Sequence, residues 1–184
     1  MRTSQTDTAF LGALSVTPMT GYAVRESIRD VLGHFWNESF GQIYPALARL
    51  EKAKLIRREG GKRTASSVFA ITPAGTERLR QLLSEPVQVV PPRNGLMLRL
   101  FFGRQIGPDA CRALLAQARA DAEQRLAGYQ AIRREIDTDD ELAPDRPYWL
   151  LTISAGEHNT RAALAWVDES LAAVDNLAAG PDTQ

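Results

Sequence analysis

The chain has 184 residues, 44% of them hydrophobic and 24% charged, with 22 basic against 22 acidic side chains. That make-up fits one globular domain or two small ones, with a core that needs no cross-links. The one cysteine, Cys111, excludes an intrachain disulfide framework and fits a reducing compartment. The first seven residues lack an apolar signal core, and no apolar run approaches the roughly 18 residues of a membrane span. A cytoplasmic protein with no membrane partner is expected.

The charge is unevenly spread. Residues 1–85 carry 12 basic and 8 acidic side chains, whereas residues 86–184 carry 10 and 14, so the two parts should face different partners. In chain order, the first helix is expected over 7–16, with Phe10, Leu11 and Leu14 on one face. A second is expected over 20–33, capped by Thr20 and striped by Val24, Ile28 and Leu32. A third covers 40–54, with Ile43, Leu47 and Leu50 as its apolar stripe. Ser39 and Gln42 have capping-box spacing, but Pro45 then forces the first turn to kink or to start later.

Two short strands follow, 55–59 and 67–71, around a flexible basic tip at Gly60-Gly61-Lys62-Arg63. Thr72-Pro73 opens a fourth helix that carries Leu79, Leu82 and Leu83. The proline-rich stretch from Glu85 to Gly95 reads as a linker. Two long helices are expected beyond it, 109–136 and 147–177. Their apolar residues step by three or four throughout, apart from a gap at Gly156. The expected fold class is mainly α with a small β-hairpin wing. An N-terminal winged helix-turn-helix domain (1–85) and a connecting segment (86–108) precede a C-terminal α-helical dimerisation domain (109–184).

Catalytic chemistry finds no support. One cysteine and two isolated histidines do not make a zinc set, the Gly60-Gly61-Lys62 run lacks P-loop spacing, and no nucleophile elbow is present. No catalytic residue, metal or cofactor is expected. Residues 49–63 instead hold seven cations against two carboxylates. In a helix-turn-helix with a wing, those elements meet the major groove and the flanking backbone. On the third helix, Gly41, Pro45, Ala48 and Lys52 lie opposite the apolar stripe, flanked by Gln42, Tyr44 and Arg49. Small residues let a helix sit close in a groove, Gln can pair with adenine, and Arg can pair with guanine.

Several segments resemble the PadR-like family of winged-helix regulators. They are 11–15 with 18–22, Phe35-Trp36 with 39–51, and 71–75 in the N-terminal half. In the C-terminal half they are 100–103, 150–156 and 164–166. The resemblance implies DNA-contacting positions at Thr20, Tyr22, Ser39, Gly41, Gln42, Tyr44 and Arg49, with Lys62 and Arg63 in the wing. The return strand departs from the family pattern, with Thr64-Ala65-Ser66-Ser67-Val68-Phe69 where a basic residue often precedes a Tyr. The family implies a homodimer, usually a repressor of double-stranded operator DNA, and in many members release by a small aromatic or hydrophobic molecule. Phe101, Phe102, Tyr148, Trp149 and Trp166 are candidates for such an effector site; filling the core or a dimer seam is the plainer use of those rings. The alternative function is a winged-helix protein-interaction module whose acidic helical half is the working surface.

Overall fold

In the computed structural model, which describes residues 2–29, 41, 43–59, 67–87, 93–138 and 143–179, the chain divides into two compact units, Met1–Val89 and Val90–Gln184. The first unit opens with α1 (Arg2–Val16), which starts five residues earlier than the apolar pattern indicated. Its first turns are polar, and Thr6 takes a buried position one turn before Phe10, which hides the helical period from a hydrophobicity reading. Phe10, Leu11 and Leu14 are fully buried, as their spacing required.

The chain then makes a two-residue strand, β1 (Met19–Thr20), before α2 (Gly21–Ser27). Thr20 has two roles: it pairs with Val68 across the sheet, and its hydroxyl accepts the Ala23 N–H at 3.1 Å to cap α2. Val24 and Ile28 are buried; Leu32 lies outside the described residues.

Recognition of where α3 begins follows from proline chemistry. The helix runs Ile43–Lys52, so Pro45 sits in the first turn, where its missing N–H would have had no intrahelical partner. Of the two options left open by the sequence, the later start is the one adopted. Ile43, Leu47 and Leu50 are all buried. The helix ends in a Schellman motif: Lys54 takes a left-handed φ of 59°, its N–H donates to Glu51 O at 2.9 Å, and Leu55 N–H donates to Leu50 O at 3.0 Å.

Strands β2 (Ile56–Glu59) and β3 (Val68–Ile71) pair antiparallel, Ile56 opposite Ile71 and Glu59 opposite Val68, and β1 adds on the far side of β3. The third strand was not expected, because two residues are too few to display alternation. Helix α4 (Pro73–Ser84) returns across the core with Leu79 and Leu82 buried; Leu83, grouped with them from sequence, is 66% exposed. Thr72 ties the two ends of the wing together. Its N–H donates to Leu55 O at 3.0 Å, its hydroxyl lies 2.8 Å from Lys54 O, and that hydroxyl caps Gly75 N–H at 3.0 Å. Gly75 is obligatory here, since a Cβ would overlap the Leu55 carbonyl oxygen.

The second unit is helical. Residues 95–101, inside the connecting segment read from the sequence, form α5 (Gly95–Phe101), capped by the Asn94 side chain, which accepts from Leu96 and Met97 N–H at 3.0 and 3.1 Å. A single 3-10 turn at 103–105 leads into α6 (Gly107–Thr138), and α7 (Arg146–Ala179) follows. The two long helices run antiparallel. Cys111 and Leu115 pack on Val167 and Val174 at one end, joined by Leu100 of α5; Tyr129 and Ile136 pack on Ile153 at the other, joined by Trp149. Beside the second cluster, the buried Glu157 is held by Arg133 (2.9 Å) and Arg161 (3.3 Å). The hydrogen bond from Arg133 is the main reason its carboxyl lies below the usual carboxylate range, against burial that pushes it up.

The break in the α7 stripe at Gly156 is where the Tyr129 ring lies: a Cβ there would overlap the ring. Replacing a mid-helix glycine by alanine normally stabilises by about 1 kcal/mol. Gly156→Ala is expected to reverse that sign and lower the melting temperature. In a Tyr129→Leu background, which removes the ring, the same substitution should become neutral or stabilising, a coupling that a double-mutant thermal series reads directly.

Candidate nucleic-acid interface

Burying Ile43, Leu47 and Leu50 turns the opposite side of α3 outward. Gly41, Tyr44, Pro45, Ala48, Arg49 and Lys52 are all exposed on or beside that side. Tyr44 is 47% exposed, and Tyr22, at the start of α2, is 57% exposed. The two helices meet at Gly21, where a Cβ would stand 3.1 Å from Tyr44 Cε1 and 3.2 Å from Leu47 Cδ1. That close approach seats the Tyr44 ring beside the α2 N-terminus and brings Thr20, Tyr22 and Tyr44 into one neighbourhood. The Arg25 guanidinium lies 5.9 Å from the centre of the Tyr22 ring.

The cations are less free than their number in the sequence implies. Arg49 is ion-paired through Nη2 with Asp7 Oδ1 of α1. Arg58 makes two bonds to Glu51, at 3.0 and 2.8 Å, and lies over the Phe69 ring at 5.3 Å. Arg57 grips Glu59 at 2.8 and 2.5 Å. Lys52 and Lys54 are exposed and make no ion pair with another described residue. Arg49 and Lys52 also complement the negative end of the α3 dipole. Ser39, Gln42, Lys62 and Arg63 lie outside the described residues. The residue that sequence reading missed is Asp7. It is 42 positions from Arg49, and no local pattern connects them.

The five aromatic candidates for an effector site are not brought together within the second unit. Phe101 ends α5 and Phe102 follows it, with ring centres 5.1 Å apart and nearly perpendicular planes. Trp149 packs with Tyr129, Ile136 and Ile153 at the opposite end of the helical pair. From Cys111 to Ile136 the helix rises roughly 37 Å at 1.5 Å per residue. Tyr148 is exposed beside Trp149, and Trp166 is partly exposed on the Val167 end. Antiparallel pairing separates what an unordered count of rings had grouped. Phe102 does line an open apolar groove of about 630 Å³ between α5 and α6, with Leu98, Ile106, Ala110 and Leu114. Among the described residues, no group of three or more His, Cys, Asp or Glu could hold a metal ion, and no helix is long and apolar enough to cross a membrane.

Comparison with known proteins places this architecture. Residues 10–81 match the transcriptional regulator PadR-like family, and residues 92–175 match the virulence activator alpha C-terminal family. Residues 10–81 thus form a PadR-like domain. The negative transcriptional regulator PadR of Bacillus subtilis (strain 168) is 24% identical over 176 residues, covering 91% of this chain and 96% of the relative. The crystal structure of Bacillus subtilis PadR in complex with operator DNA superposes with a TM-score of 0.76 at 20% identity, over 91% of this chain and 98% of that one. The same protein in complex with p-coumaric acid gives 0.73 at 20% identity, over 92% and 98%. The PadR-like winged helix-turn-helix with a C-terminal helical half is therefore the fold of this chain.

In this PadR-like unit, the Glu51–Arg58 pair joins the end of the third helix to the first wing strand. The hydrogen bond from Arg58 is the main cause that lowers the Glu51 carboxyl below its ordinary value, with burial opposing it. A pKa lowered by folding contributes stability above the ordinary carboxylate value, and that contribution is lost as pH falls through the lowered one. The gap in urea midpoint between wild type and Glu51→Gln should therefore be open at about pH 7 and close as the titration proceeds toward about pH 3. A gap that stayed constant with pH would assign the effect to packing.

Proposed function

We propose that the chain is a sequence-specific DNA-binding repressor that acts as a homodimer, lays α3 in the major groove of operator DNA and uses the wing on the flanking backbone. One observation carries this reading: the outward side of α3 carries Pro45 and Ala48, with Gly41 exposed just before the helix and Tyr44, Arg49 and Lys52 around them. Small side chains permit close approach, and the polar ones suit base edges and phosphates. A protein-docking groove would more often expose large apolar side chains there. Thr20, Tyr22, Ser39 and Gln42 complete the contact set, and Lys62 and Arg63 are assigned to backbone contact at the wing tip. The kinship to Bacillus subtilis PadR, a negative regulator with an operator complex, supports repression as the sign. In this reading the chain is no enzyme and works in the cytoplasm.

The functional division is DNA binding in 1–85, connection in 86–108 and dimerisation in 109–184, with α5 packed onto the helical unit through Leu100. Leu98, Phe101, Leu151 and Leu177 remain exposed on that unit, Phe101 at 83%, which supports burial against a second copy. Sedimentation at micromolar concentration should give a dimer. The effector is proposed to be a small planar aromatic, in line with the p-coumaric acid complex of the Bacillus protein. It releases DNA only by binding the DNA-incompetent arrangement more tightly. Of the five rings, Phe102 has the concave apolar setting for it. Phe102→Ala should abolish operator release by phenolic acids, whereas Trp149→Ala, inside a packed cluster, should leave it.

The deciding experiment is selection of genomic fragments by the purified protein, followed by titration of variants on the selected operator. Gln42→Ala and Arg49→Ala should each cost roughly 1–3 kcal/mol on the operator alone. Lys62→Ala and Arg63→Ala should weaken all sequences alike and flatten the salt dependence. Operator affinity untouched by the helix substitutions would transfer the assignment to a protein-interaction module.

A further inference from the structure

Among the described cations around the outward side of α3, Arg49 is tied to another helix and Lys52 is not. Its partner Asp7 stands on α1, a helix immobilised by the fully buried Phe10, Leu11 and Leu14. The Asp7 side chain is 21% exposed against 41% for Arg49, so the acid is the sheltered member and the guanidinium the presented one. The geometry of the contact is also distinctive. Arg57 and Arg58 each engage a carboxylate through two guanidinium nitrogens, Nε and Nη2. Asp7 engages only Nη2 of Arg49, which leaves Nε–H and both Nη1 hydrogens free of this carboxylate.

We infer that Asp7 is a positioning residue for base reading: it fixes the guanidinium of Arg49 and sharpens the choice of sequence. This rests on the DNA-reading assignment of α3. Two physical effects act together. A planar fork held from one side has fewer orientations to lose when it meets a base edge. A carboxylate close to the DNA-facing side repels phosphate, so it penalises binding that uses the backbone alone. Both raise the ratio of operator to random-sequence affinity. Asp7 is thus a specificity determinant that itself needs no contact with DNA.

The test measures that ratio for wild type, Asp7→Ala, Asp7→Asn, Arg49→Ala and the Asp7→Ala/Arg49→Ala double variant, on the selected operator, its single-base-pair variants and random DNA. Asp7→Ala should bind random DNA several-fold more tightly and lose about tenfold in the ratio, the scale of one well-made base contact. The loss should be concentrated at the base pair whose readout Arg49→Ala also erases, and the double variant should lose no more there than Arg49→Ala alone. Asp7→Asn keeps an acceptor oxygen without the charge and should retain part of the discrimination; being isosteric, it carries the test if Asp7→Ala does not fold. A ratio unchanged in Asp7→Asn and Asp7→Ala overturns the inference, and so does a ratio that rises, which would make Asp7 a mask over Arg49. Wild-type protein that selects no operator overturns the reading of α3 and this inference with it, and that result is visible before any variant is made.

Discussion

The carbonyl oxygen of Leu55 occupies the space in which any other residue at position 75 would carry its Cβ. That approach sets the geometry of the N-terminal unit. It brings the first turn of α4 against the corner between α3 and β2, and Thr72 closes the corner with hydrogen bonds to Lys54 and Leu55. Helix α3 and both wing strands then leave one locked point. The left-handed Lys54 belongs to the same knot: it ends α3 and sends the chain directly into the wing. A non-glycine residue in that conformation is held by its surroundings rather than by its own preference.

From this knot the electrostatics of the interface follow. Fifteen residues with seven cations look in sequence like a broad positive patch. Folded, Arg57 and Arg58 are each gripped by a neighbouring glutamate, and Arg49 is answered from α1. Exposed pairs of this kind contribute little to stability. Their larger effect is geometric, since each fixes where a guanidinium can point. Sequence reading in general depends less on attraction to phosphate, which any DNA supplies, than on placed donors, which only some sequences satisfy.

The helical unit solves a different problem. Two helices of 32 and 34 residues must stay in register over their whole length. Apolar clusters at the two ends do part of this, and at the Tyr129 end the buried Glu157 between two arginines and the Tyr129 ring over Gly156 add to it. An ion pair or a ring-into-glycine contact tolerates no slip, whereas leucine seams can slide by a heptad. The cost is that aromatic side chains distant along the hairpin cannot meet in one chain, which divides Phe101 and Phe102 from Tyr148 and Trp149.

What the sequence by itself determined was whatever depends on neighbours within a few positions. The stripes of α2, α3, α6 and α7, the Thr20 and Thr72 caps, the hairpin strands and the outward side of α3 were all legible, because helical and strand periods repeat over short spans. The resemblance to one family of regulators rested on the same local segments and their order. Other features were decided only by the tertiary structure. The early start of α1 depends on burial of the polar Thr6, β1 depends on β3 arriving beside it, and α5 depends on Leu100 finding the Cys111 cluster. The role of Gly156 needed Tyr129 from another helix, and the partner of Arg49 needed Asp7 from 42 positions away. In each case the energy comes from a contact between segments remote in the chain, and composition or periodicity cannot register such a contact until the fold has closed the distance.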